Sequence, residues 1–231
     1  MVGPPEERRA PRRQLPSLTP LLGGWLIAAS GLGLVMAQRS VPVEQLFLDA
    51  AFISGEPWYT GVLSNLGVLA WTAAVVAALF GGWVAAQTGR PSAARFLRGG
   101  ALVSAILLAD DMLQLHADLF RVLGIPKGAR ELLVVAPAVI WLVRYAGEIA
   151  RTRWVIMVGA LIGLGGSFLV DVLTPPGTRW IVVEDSAKLL GVLAWAQYMV
   201  LTSVDITRST IRAARSAPTV PDEAPAGSAV R

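Results

Sequence analysis

No cysteine occurs in the 231 residues, and histidine occurs once. The first absence excludes disulfides, iron–sulfur clusters, thiolate zinc sites and a cysteine nucleophile. The second excludes any centre built on two or more imidazoles, so His116 stands outside a histidine-rich metal site. Charge is scarce: 16% of the residues are Asp, Glu, Lys or Arg, where a soluble domain carries about 25%. No Walker loop, dinucleotide fingerprint, HExxH or GxSxG is present. The stretch DDMLQ departs from the aspartate-rich DDxxD pattern of prenyl-diphosphate enzymes at Gln114, and no second copy exists.

What remains is apolar. The chain is 54% hydrophobic with mean hydropathy +0.58, the composition of a membrane protein. Eight tryptophans outnumber three tyrosines, and Trp58, Trp83, Trp154 and Trp180 fall at the ends of apolar runs, where amphipathic rings favour the headgroup region. A formal charge of +4 and a pI near 10.1 would suit nucleic acid, but the arginines lie between apolar runs and in the tails. We read them as topology signals and expect no nucleic-acid partner.

Crossing roughly 30 Å of hydrocarbon takes about 20 residues. Six windows approach that length: Leu21 to Ala37, Trp58 to Ala85, Phe96 to Leu115, Leu132 to Ile149, Trp154 to Leu173 and Ile181 to Ser203. The first follows RRAPRRQ, but it exceeds a signal-peptide core and lacks a clean cleavage site, so it reads as a retained span. With the N-terminus inside, fourteen Lys and Arg side chains fall on the cytoplasmic side and five outside. That bias predicts an all-α, polytopic bundle of six transmembrane helices in the cytoplasmic (inner) membrane, both termini cytoplasmic. Residues 1–19 and 208–231 are rich in Pro, Ala, Ser and charge and are expected to be unstructured tails around a membrane domain spanning 20–207. In the first outer loop, Val43, Leu46, Phe47, Ala50 and Phe52 share one helical side, which predicts a short interfacial helix.

The polar residues inside these windows are unevenly placed. If the third span enters from the cytoplasm near Arg98, Asp110 lies about 18 Å up, with Asp111 and Gln114 above it. If the sixth enters from outside near Trp180, Glu184 is about 6 Å deep and Lys188 about 12 Å deep, with Asp185 between them. Asn65 on the second span, Glu131 heading the fourth and Asp171 closing the fifth fall at similar heights. The inner halves are almost purely Leu, Val, Ile, Ala and Gly.

An ionised side chain at a helix centre costs about 2.5–3.5 kcal/mol on insertion scales unless it pairs or meets water. These groups are therefore expected to converge, with Lys188 contacting Asp110 or Asp111 across the third and sixth spans. On the sixth span, Glu184, Lys188, Gly191, Trp195 and Tyr198 form one stripe. The small-residue face Gly159, Gly163, Gly165 and Gly166 on the fifth predicts close helix packing.

Three functions fit this pattern. The leading one is an outward-facing polar cavity of Asn65, Asp110, Asp111, Gln114, Asp171, Glu184, Asp185 and Lys188 that binds, and by extension transports, a proton, cation or small polar solute. The second is an intramembrane enzyme acting on a lipid headgroup, a hydrolase or transferase in which the carboxylates hold a divalent metal. The third is a structural or regulatory subunit whose charges set helix pairing. Membrane lipids are the expected partners. Because the inner halves carry no continuation of a polar route, transport would call for a homo-oligomer or a second conformation.

Overall fold

The computed structural model describes residues 15–38, 40–42, 45, 47–48, 50–115, 120–173 and 178–216. These residues are helical, with no strand among them, and the chain divides into two compact units, Met1–Thr60 and Gly61–Arg231.

The first unit holds α1 (Leu15–Met36) and α2 (Ala50–Ser54). The apolar stretch of α1, Leu21–Met36, matches the first expected span, and its side chains are exposed throughout. Helix α1 includes the last five residues, 15–19, of the segment expected to be an unstructured tail. Of the expected interfacial helix, Val43 and Leu46 lie outside the described residues; Ala50 to Ser54 form one helical turn, with Phe52 exposed.

The second unit runs α3 (Val62–Gln87), α4 (Pro91–Leu113), α5 (Phe120–Val122), α6 (Lys127–Arg144), α7 (Ala146–Ala150), α8 (Trp154–Leu173) and α9 (Thr178–Ser216). Among the described residues three helices, α3, α8 and α9, are long and apolar enough to cross a membrane. Helix α4 has the length but carries Arg95, Arg98, Asp110 and Asp111, and α6 carries Arg130 and Glu131 near its start.

Helix ends follow local chemistry. Between α3 and α4, Gly89 takes φ +70, and the amides of Gly89 and Arg90 turn back to the carbonyls of Ala86 and Ala85 at 3.4 and 2.9 Å. This is a Schellman closure, and Pro91 then opens α4 with the φ it already prefers. The fourth expected span, drawn as one helix from Leu132 to Ile149, is instead broken at Tyr145 (φ −116, ψ 18). There the Tyr145 ring seats 5.5 Å from Phe96 and 6.1 Å from Trp141. Helix α9 is longer than the expected sixth span and includes residues 208–216 of the expected tail. TRSTIRAAR is rich in helix formers, and Arg90 fastens this extension by donating to Ser209 Oγ at 2.6 Å.

Helix α9 is the hub, packing against both α8 and α3, while α3 also packs against α4 and α6 lies on α4. Helices α4 and α9 run antiparallel, as Asp111 with Lys188, Ser104 with Trp195 and Gly100 beside Met199 show, whereas α3 and α9 run parallel, with Trp71 by Trp195 and Gly81 by Ser203. The α8–α9 contact is backbone against backbone. A Cβ on Gly163 would lie 2.5 Å from Gly191 Cα, and one on Gly191 would lie 2.5 Å from Leu164 N. Of the glycine face expected on α8, Gly163 makes this approach, whereas Gly159, Gly165 and Gly166 face open space.

Candidate functional site

The core is aromatic. Trp71 of α3, Trp195 of α9, Trp141 of α6 and Phe96 of α4 form a chain with ring centroids 6.0, 5.6 and 5.2 Å apart. Its polar edges are partly bonded within the bundle: Trp195 Nε1 donates to Ser104 Oγ at 2.9 Å, and Trp141 Nε1 donates to the Phe96 carbonyl at 3.1 Å. Trp71 differs. Its ring is 2% exposed, and its indole N–H has no hydrogen-bond partner among the described residues.

Beside this floor lies a cavity of about 340 Å³ between α4 and α6 on one side and α8 and α9 on the other. It forms because α6 leans on α4 and α8 on α9, leaving α6 and α8 apart across the gap. The walls are apolar, among them Val134, Ala138, Leu142, Leu161, Leu164 and Phe168. Ionisable side chains also line it: Asp110 and Asp111 from α4, Glu131 from α6, Asp171 from α8, and Glu184 and Lys188 from α9. Five carboxylates and one ammonium therefore border a single space.

Lys188 Nζ donates to Asp111 Oδ1 across the α4–α9 interface, with Asp111 10% and Lys188 40% exposed in their side chains. The contact expected from matched depths is thus made, and it selects Asp111. Its neighbour Asp110 is buried at 8%. Glycine makes room for the pair: a Cβ at Gly67 on α3 would stand 3.4 Å from Asp111 Oδ2.

Of the eight residues expected at the site, Asp110, Asp111, Asp171, Glu184 and Lys188 come together. Asn65, Gln114 and Asp185 are exposed and do not line the cavity. Gln114 leaves because α4 ends at Leu113 and Gln114 adopts a left-handed backbone (φ 50), which breaks the 100° register that would have aligned it with Asp110. Asp185 is one residue from Glu184, so the helix turns it to another side. His116 and Asp118 lie outside the described residues.

Lining residues outside those eight include Glu131, Ser167 and Trp71. Ser167 carried a signal, since Gly163, Ser167 and Asp171 are spaced by four along α8 and the first touches α9. Trp71 carried none, because an indole in an apolar run looks like any packing residue. As for a metal, no group of three or more His, Asp or Glu close enough to hold an ion occurs among the described residues.

No curated protein and no solved structure matches this chain. One family model does, over residues 19–202, from α1 through most of α9. The chain therefore belongs to the family described as a domain of unknown function, DUF8692.

Proposed function

We propose that the chain is a multi-pass protein of the cytoplasmic membrane, crossed six times by α1, α3, α4, α6, α8 and α9 with both termini inside. Its acidic cavity opens outward and binds a cation. The observation that carries this reading is the lining: five carboxylates and one lysine in an otherwise mostly apolar cavity. A cleft of one charge sign with low-dielectric walls focuses the field and raises the local concentration of the opposite ion. A volume of about 340 Å³ is at the small-molecule end of ligand sites.

The shape narrows the ligand class. A hard metal ion needs several oxygen ligands closing on one point, and the described acidic groups do not converge that tightly. Apolar walls beneath charged groups suit an organic cation with an apolar body, whose ring or chain would lie along Val134, Leu142 and Phe168. The aromatic floor is closed by Trp195 at 1% exposure, which favours binding over passage.

The probe is ethidium, a planar organic cation, titrated by fluorescence into full-length protein in nanodiscs, with empty nanodiscs and the anion fluorescein as references. Saturable ethidium binding, at least tenfold weaker in Asp110→Asn, is the expected result. Equal binding of fluorescein, or ethidium binding untouched in a folded Asp110→Asn protein, would overturn it.

A second reading draws on the Lys188–Asp111 contact, which ties α4 to α9 whether or not anything binds. In that reading the charges set helix pairing. Loss of folded protein without any ligand dependence would favour it.

A further inference from the structure

At the opposite end of the second unit a separate cavity of about 410 Å³ opens between the α3–α4 turn, the α7–α8 turn and α9. Three arginines border it: Arg90 ahead of α4, and Arg151 and Arg153 just before α8. Facing them, α9 contributes Thr202, Asp205 and Ser209. Asp205 is the one carboxylate in the lining and is already committed, since Arg153 Nε and Nη2 donate to its two oxygens at 2.8 and 3.3 Å. The hydrogen bond to Asp205 holds the Arg153 guanidinium above its ordinary pKa, so this pair stays charged.

The remaining donors look for an acceptor. Arg90 is held in place by Ser209 Oγ at 2.6 Å and uses one terminal nitrogen for its contacts to α9. Arg151 makes no ion pair among the described residues. Thr202 is 1% exposed, and its hydroxyl lies beside the Tyr198 phenol.

We propose that this cavity binds a phosphate group, taken either from the headgroup of an anionic phospholipid or from free phosphate. Guanidinium forks match phosphate oxygens with paired, charge-assisted hydrogen bonds. The cavity also sits where a lipid phosphate would be. Asp205 is 17 residues along α9 from Lys188, about 25 Å at 1.5 Å per residue, which nearly spans a hydrocarbon core from the acidic end to the basic one. Basic pockets between helices at that level are a recurrent headgroup site. This proposal stands apart from cation binding and survives its failure.

The test is native mass spectrometry of the full-length protein with phosphatidylglycerol, phosphatidylcholine or inorganic phosphate added. We expect phosphatidylglycerol to be retained at least tenfold over phosphatidylcholine, with the preference falling to near unity in Arg90→Gln/Arg151→Gln. If millimolar inorganic phosphate displaces the lipid, the pocket takes free phosphate as well; if it does not, the headgroup is the ligand. Arg208→Gln, exposed and outside the cavity, should leave retention unchanged. Should the double variant misfold, Arg151→Gln alone carries the same comparison with a smaller loss. Equal retention of the two lipids with no phosphate bound, or a preference that survives Arg151→Gln or falls as far in Arg208→Gln, overturns the proposal.

Discussion

The two ends of α9 border cavities of opposite charge, and each end handles that charge differently. Near its start, Glu184 and Lys188 face carboxylates from α4, α6 and α8 around a half-enclosed apolar cavity. Near its far end, Asp205 meets arginines from two interhelical turns in a more open setting, with Arg153 and Asp205 each 46% exposed in their side chains. The lesson is one of dielectric. An ion pair in the enclosed end has little water to fall back on and is coupled to packing, whereas one in the open end is screened and adds little to stability.

The harshest way to break this contrast is to separate the helices that carry both ends. In Gly191→Leu the new side chain would meet the α8 backbone, which cannot move aside as a flexible side chain would. We expect a loss of at least about 3 kcal/mol, or no folded protein, read from thermal unfolding in detergent. Both ends should fail together, with the Asp205–Arg153 pair disrupted as well as the acidic cavity.

Lys188→Met sharpens the comparison from the enclosed side. It leaves Asp111, 10% exposed, without its ammonium, at an expected cost of about 1–3 kcal/mol after allowing for the half-exposed lysine. A double-mutant cycle with Asp111→Asn should return a coupling energy of the same sign and of order 1 kcal/mol. Additivity within about 0.3 kcal/mol would mean that the two groups do not support one another.

Arg153→Gln is the matching change at the open end. Its expected effect on unfolding is well below that of Lys188→Met and shrinks further when salt is raised, since surface pairs are weak and screened. A loss as large as that of Lys188→Met would erase the distinction between the two ends.

Much of this contrast was legible in the sequence, for physical reasons. Asp110, Asp111, Glu184 and Lys188 could be brought to one height because helices rise at a fixed 1.5 Å per residue. Lys188 needed a counter-charge because lipid offers none. The span Trp154 to Leu173 coincides with α8. What the sequence hid depends on backbone departures or on three-dimensional neighbours. Gln114 was placed with the aspartates by an ideal period that the real helix abandons at Leu113. The break at Tyr145 comes from ring packing against Phe96, 49 positions away in the chain and carried by another helix. The extension of α9 to Ser216 rests on Arg90 reaching across from the α3–α4 turn. The cavity was hidden too, for it arises from how α6 and α8 lean apart, and no periodicity encodes that.

The account depends most on the two charged ends lying on opposite sides of a membrane, with the acidic cavity outward. The chain lacks cysteine, so a single introduced thiol reports without interference. Leu123, 63% exposed in the turn before α6, stands at the acidic end. In intact cells, Leu123→Cys should react with a membrane-impermeant maleimide as fully as after permeabilisation. Reaction only after permeabilisation would contradict the outward placement of the cavity.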